Sequence, residues 1–231
     1  MNAYGFFAAA GAVATILQVL RCRREMGLSE NQLWAALWLM VAGGVVGAKG
    51  LFVALGWHHY ASGEMRFWAD FGAGFVFFGG LLGALLAGGA YAWWQRLSFW
   101  RGADYFAVAL PLGHAIGRVG CYTQGCCGGH PPHPLQLYES AGLLLIMLAA
   151  QKILNRVEDG RVSRGVPFCA YLVLYGTLRL ALDPLRADGR PERFLGFSHQ
   201  QGIAIGLMLA GAICWRWRTG VPPVINDAAC R

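Results

Sequence analysis

The chain has 231 residues, of which 56% are hydrophobic and 13% charged, with a mean hydropathy of +0.43. A single water-soluble core of this length does not use so much apolar surface, so the composition excludes an ordinary soluble domain and points to a lipid solvent. The net charge of +7 comes from arginines in short clusters between apolar runs, as orienting charges do, and no nucleic-acid partner is expected.

A membrane helix needs about 20 mostly apolar residues. In chain order the candidate runs are Tyr4 to Leu20, Leu33 to Leu55, Ala69 to Trp93, Tyr105 to Ile116, Leu137 to Leu154, Val166 to Leu182 and Gln201 to Trp217. The fourth is the shortest. The N-terminus lacks the basic leader and small-residue cleavage site of a removable signal, so the first run reads as a retained helix. Most of the 33 glycines lie inside apolar stretches, where small residues let membrane helices approach closely. The expected fold is all-α, a polytopic integral membrane helical bundle of about seven transmembrane helices. It forms one domain over residues 1–220, with an irregular loop at 117–136 and a short tail at 221–231.

Orientation follows from the basic residues of the short connections. Arg21, Arg23 and Arg24, then Arg96 and Arg101, then Lys152, Arg156, Arg161 and Arg164, and finally Arg216 and Arg218 mark alternate ends as cytoplasmic. The opposite loops carry Arg66, Arg118, Arg186, Arg190 and Arg193 over longer, irregular segments. The N-terminus is therefore expected outside and the C-terminus in the cytoplasm. Trp34, Trp93, Trp94, Trp100 and Trp215 fall near helix ends, as interface anchors do.

Of the seven cysteines, Cys22, Cys169, Cys214 and Cys230 are scattered, and only Cys121, Cys126 and Cys127 cluster, which is no disulfide scaffold. The cluster lies in the segment richest in chemistry, from Gly113 to Glu139, which also holds His114, Arg118, His130, His133 and Gln136. Glycines and prolines force irregular backbone into this segment, which at membrane depth is tolerated where it lines a cavity.

Gly117-Arg118-Val119-Gly120 and His133-Pro134-Leu135-Gln136-Leu137-Tyr138-Glu139 resemble signature elements of the prolipoprotein diacylglyceryl transferase family. Further matches follow in order: Tyr4-Gly5, Gly47-Ala48-Lys49, Gly79-Gly80-Leu81-Leu82-Gly83, Tyr175-Gly176-Thr177-Leu178-Arg179, then Asp183 and Arg186. The resemblance implies a bacterial cytoplasmic-membrane enzyme. Such an enzyme moves the diacylglyceryl group of phosphatidylglycerol to a lipoprotein-precursor cysteine and releases glycerol phosphate. The expected partners are thus a phosphatidylglycerol-like phospholipid, a lipoprotein precursor and the membrane itself, with no cofactor.

That reaction is a displacement at carbon. It requires cations for an anionic headgroup and departing phosphate, and help for a thiol of pKa about 8.5 to become a thiolate. Arg118, Arg179, His133 and Glu139 are the implied catalytic residues. Tyr4, Gly79, Gly80, Gly117, Cys121, Gly129, Gln136, Tyr138, Asp183 and Arg186 are the implied substrate contacts. Plainer roles stand beside these: an Arg179–Asp183 ion pair one helical turn apart, a loop charge for Arg186, helix-start capping for Glu139, and interface anchoring for Tyr4 and Tyr138. For His114 a polar contact within the bundle is the favoured reading.

The chain departs from the family's pattern at two places. Phe78 stands where the family usually has a histidine. Cys121, Tyr122 and Cys126 stand where it usually has asparagine, phenylalanine and glutamate. Cys121, Cys126, Cys127, His130 and His133 are soft ligands, but adjacent cysteines are awkward in a closed tetrahedral site. A metal therefore ranks below a Cys121–Cys126 disulfide or simple thiols, and none is expected. The altered chemistry keeps open another acceptor, a covalent lipid intermediate on one thiol, or a non-catalytic protein that binds or moves a lipid or metal.

Overall fold

The computed structural model describes residues 3–63, 76–186, 193–194 and 197–221. They form helices α1 (Ala3–Arg21), α2 (Glu30–Leu55), the short α3 (Trp57–Ala61), α4 (Phe77–Trp94), α5 (Phe99–Gln124), α6 (Leu135–Glu158), α7 (Val166–Leu182) and α8 (His199–Thr219). A 3-10 turn, Asp183–Leu185, ends α7. Two-residue strands β1 (Arg193–Phe194) and β2 (Phe197–Ser198), which the apolar periodicity does not reveal, pair antiparallel before α8. The chain is therefore essentially all-α. Four helical segments among the described residues, Ala3–Arg21, Glu30–Leu55, Leu135–Glu158 and Val166–Leu185, are long and apolar enough to cross a membrane. Residues 69–75 of the third predicted run, the loop charges Arg66 and Arg190, Cys230 and the tail from 222 lie outside the described residues.

The fourth run differs from expectation in extent. α5 runs from Phe99 through Pro111, Gly117 and Gly120 to Gln124, so the irregular segment is 125–134 rather than 117–136. The glycines do not break the helix, and Gly120 serves packing. Gly120 is buried, and a Cβ there would lie 2.7 Å from Cβ of Phe7 on α1.

The chain divides into two compact units, residues 23–99 and residues 1–22 with 100–231. In the first, Ser29 starts α2 with a reciprocal capping box: Gln32 N–H donates to Ser29 Oγ at 3.2 Å, and Ser29 N–H donates to Gln32 Oε1 at 3.0 Å. α2 and α4 meet through glycines. A Cβ on Gly43 would stand 2.7 Å from the Gly83 carbonyl oxygen, and one on Gly79 would stand 2.6 Å from Leu51 Cβ. Both distances are closer than packed carbons reach, so side-chain loss is what lets these two backbones touch.

In the second unit α1 lies on α5 by the same device: a Cβ on Gly113 would be 2.6 Å from the Gly11 carbonyl oxygen. Ser140 Oγ on α6 donates to the Ala115 carbonyl of α5 at 2.9 Å. α7 packs on α8 where Gly176 faces Ala204 and Met208. Asp104, fully buried on α5, accepts from the N–H groups of Gly165 at 2.7 Å and Phe168 at 3.2 Å. It thereby caps α7, whose own N-cap residue, Gly165, has no side chain to do so. Around the same end Glu158 accepts from Tyr105 Oη (3.1 Å) and Arg164 Nη1 (3.3 Å), and Arg218 donates to the Arg164 carbonyl at 2.6 Å while lying over Trp100. Trp100 is thus packed against an arginine at the end where α7 begins. Large apolar side chains such as Leu145, Leu148 and Ile213 stay exposed on the outer faces, which suits lipid rather than water.

Candidate active site

Arg118 sits on the last two turns of α5 and Glu139 on the second turn of α6, with the 125–134 loop between them. Arg118 Nη2 donates to Glu139 Oε1 at 2.9 Å. From α7, Arg179 Nη1 approaches both oxygens of the same carboxylate, at 3.4 Å from Oε1 and 3.3 Å from Oε2. Arg179 Nη2 also donates to Gln200 Oε1 at the start of α8. Three helices therefore meet at one carboxylate, and α8 joins through Gln200 on Arg179. The carboxylate is 1% exposed, while the two arginines are 15% and 12% exposed.

The electrostatics of this cage are unbalanced. Among the described residues two guanidiniums share one carboxylate, an excess of one positive charge in a largely desolvated place, where uncompensated charge is costly. Arg118 Nε is in addition buried without a hydrogen-bond partner among the described residues. An anion with several acceptor oxygens answers both features, because guanidinium presents donors in a planar fork matched to phosphate.

His114, one turn before Arg118 on α5, brings Nε2 to 3.8 Å from Glu139 Oε1, beyond hydrogen-bond length but within the cage. Its ring lies 5.8 Å from that of Tyr175, which stacks on Tyr171. His114 was expected only as a bundle contact, and neither Gln200 nor Tyr175 was singled out as a site residue. The spacing His114–Arg118 on one helix face was the available signal for the first; nothing in the sequence pointed to Gln200.

The remaining expected residues fall in several places. Gln136, 5% exposed and one turn before Glu139, donates from Nε2 to the Cys126 carbonyl at 2.7 Å and so fixes the loop against α6. Gly129 forms an isolated antiparallel bridge with Arg186, and His130 N–H donates to the Leu185 carbonyl at 2.9 Å. A Cβ on Gly129 would lie 2.7 Å from that carbonyl oxygen, so glycine lets the loop and the segment after α7 meet. Gly117 adjoins Arg118 and faces open space. Asp183 accepts from Gln201 Nε2 at 2.7 Å, while Arg179 takes Glu139, so the expected Arg179–Asp183 pair is replaced by pairing across helices.

His133 is exposed, with its ring 6.1 Å from that of Tyr138, itself 42% exposed. Tyr4 is 46% exposed at the start of α1. Gly79 and Gly80 lie on α4 in the other unit, where they pack against α2. Cys121 is one turn beyond Arg118 on α5, and its sulfur gathers with those of Cys126 and Cys127, all within 4.8 Å of one another.

A family model of prolipoprotein diacylglyceryl transferase matches residues 1–217. The chain belongs to the prolipoprotein diacylglyceryl transferase family. Similar proteins include the phosphatidylglycerol–prolipoprotein diacylglyceryl transferases of Clostridioides difficile strain 630, 27% identical over 80% of this chain and 78% of that protein, and of Geobacter sulfurreducens, 29% identical over 90% and 87%. The enzyme of that name from Nostoc sp. PCC 7120 is 28% identical over 97% of this chain and 89% of its own. The two segments on which the sequence resemblance rests, 117–120 and 133–139, are those that supply Arg118, Gln136 and Glu139 to the cage and its loop.

Proposed function

We propose that this transferase-family protein moves the diacylglyceryl group of phosphatidylglycerol to the thiol of a prolipoprotein cysteine and releases glycerol phosphate. The observation that carries the reading is the convergence of Arg118 and Arg179 on the single carboxylate of Glu139, with cationic charge in excess. In the displacement the thiolate sulfur bonds to the glyceryl carbon, the carbon–oxygen bond to phosphate breaks, and its electron pair leaves on the phosphate oxygen. Arg118 and Arg179 stabilise the charge that builds there. Glu139 acts as a positioning residue that aims both guanidiniums, and Gln136 holds the loop that borders them. Tyr4, Tyr138, Gly117, Gly129, Asp183 and Arg186 complete the lipid-binding surroundings, and His133 serves the acceptor side.

The setting is a multi-pass protein of the bacterial cytoplasmic membrane with about seven spans in one domain over residues 1–220. Its N-terminus lies outside and its C-terminus inside. The apolar helices and the alternation of arginine clusters support this. The thiols at 121, 126 and 127 favour a second form of the reading, in which the same lipid chemistry serves another acceptor.

The test is a transfer assay with purified protein in phosphatidylglycerol micelles and a lipobox peptide bearing one cysteine, read by mass spectrometry. A peptide carrying the diacylglyceryl group, with glycerol phosphate in equal amount, supports the proposal. Folded protein that consumes phosphatidylglycerol but leaves the peptide unmodified moves the reaction to another acceptor. Absence of both products overturns the transferase reading.

A further inference from the structure

The three cysteines of the loop are not explained by the arginine cage. Cys121 closes the last turn of α5, Gly125 turns the chain in the left-handed region with φ 71°, and Cys127 is itself left-handed with φ 56°. A non-glycine residue rarely adopts that conformation without a reason in the surrounding structure. Its effect here is to overcome the geometry that ordinarily separates adjacent side chains. Cys126 and Cys127, neighbours in sequence, point their sulfurs into one cluster with Cys121, each within 4.8 Å of the others.

We propose that Cys121, Cys126 and Cys127 form a three-thiolate site for a single thiophilic d10 cation, zinc(II) or copper(I). Three sulfurs around an ion at about 2.3 Å stand roughly 4 Å apart, so the present cluster closes onto an ion with small adjustments. The ligand set is sulfur alone, which selects soft ions over magnesium or calcium. The loop is braced from outside, where Gln136 Nε2 donates to the Cys126 carbonyl at 2.7 Å. The Cys126 thiol donates to the Cys121 carbonyl oxygen at 3.7 Å, a contact that gives up its proton when the sulfur becomes a ligand. Supported ligands of this kind are what a metal site needs beyond its donor atoms. The expectation that adjacent cysteines are awkward in a closed tetrahedral site rests on ordinary backbone, which Cys127 does not have.

The two ions differ in what they ask of the site. Copper(I) is satisfied by three sulfurs, whereas zinc takes a fourth ligand. Cys127 is exposed, so a zinc ion held there is open to an outside ligand. Provided the transfer reading above holds, an acceptor thiol is the ligand that fits, since on binding it gives its proton to solvent and stays as a metal-held thiolate. Such a role would supply thiol activation in a chain with Phe78 at the family's histidine position.

The experiment uses full-length protein in detergent, reduced and purified without oxygen. It is incubated with zinc(II) or with copper(I), freed of excess ion, and assayed for metal and for alkylation of each cysteine. The expected result is one equivalent of zinc or copper per chain. Cys121, Cys126 and Cys127 should be shielded from alkylation by at least tenfold, while Cys22 stays reactive. Binding should weaken at least 100-fold in Cys126→Ser and not in Cys22→Ser. With cobalt(II) as probe, a spectral change on adding a cysteine peptide selects the four-coordinate zinc form, and stable copper(I) without such a change selects the three-coordinate one. Reduced protein that retains neither ion, or that retains it equally in Cys121→Ser, Cys126→Ser and Cys127→Ser, overturns the proposal. Metal content and shielding are read without turnover, so failure of the transfer assay and failure of the metal site are separate results.

Discussion

Arg118 on α5 and Glu139 on α6 are joined by a 2.9 Å hydrogen bond across a carboxylate that is 1% exposed, and Arg179 closes on the same group from α7. The pair therefore both binds helices together and fixes the direction of two guanidiniums.

Removing Glu139 strands both arginines. Glu139→Ala is expected to lower stability by about 3–5 kcal/mol, the usual cost of breaking a buried ion pair from one side. Glu139→Gln keeps the shape and one acceptor, and should lose less stability but still misorient the cage. Thermal unfolding in detergent and turnover per folded molecule check this; equal melting of all three proteins contradicts it.

Asp104 offers the opposite contrast. It lies fourteen residues before Arg118 on α5, about 21 Å along the axis, and caps α7 from its side. Asp104→Ala is expected to cost about 1–3 kcal/mol, since two N–H groups lose their acceptor. Transfer per folded molecule should stay within about twofold. Unfolding curves and initial rates on the same preparation measure the two effects independently.

Gly129 is required by crowding rather than by a turn, because an added Cβ meets the Leu185 carbonyl at 2.7 Å and the His133 carbonyl at 3.0 Å. Gly129→Ala should push Arg186 away from the loop and reduce turnover about tenfold or more, an effect of order 1.4 kcal/mol in the transition state. The neighbouring Gly128→Ala meets Gln136 Nε2 only at 3.5 Å and should remain close to wild type. Kinetics of the two alanine variants side by side distinguish them.

The helices were largely legible because each apolar run is long and holds few charges. α7 starts and stops where its run does. α5 was underestimated because Arg101, Asp104 and Arg118 dilute its hydrophobicity at both ends, although Asp104 accepts from α7 and Arg118 pairs with Glu139. Of the cage, Arg118, Arg179 and Glu139 were legible from motifs. Their mutual pairing was not, since it joins residues 21 to 40 positions apart. Arg179 had a nearer partner in Asp183 by helical spacing, but the tertiary arrangement gave Asp183 to Gln201. Cys127 shows the same limit at short range: sequence alone does not reveal a left-handed residue that brings neighbouring thiols together.

The most direct measurement is the initial rate of diacylglyceryl transfer by wild type, Arg118→Lys and Arg118→Ala, with phosphatidylglycerol and a single-cysteine lipobox peptide and with melting temperature as the folding control. Lysine keeps the charge but not the fork, so a cage that grips phosphate predicts wild type above lysine and lysine above alanine. The alanine variant should fall at least 100-fold, about 2.7 kcal/mol, as for loss of one oxyanion donor. Equal rates for folded wild type and Arg118→Ala would contradict a phosphate-holding role for the cage.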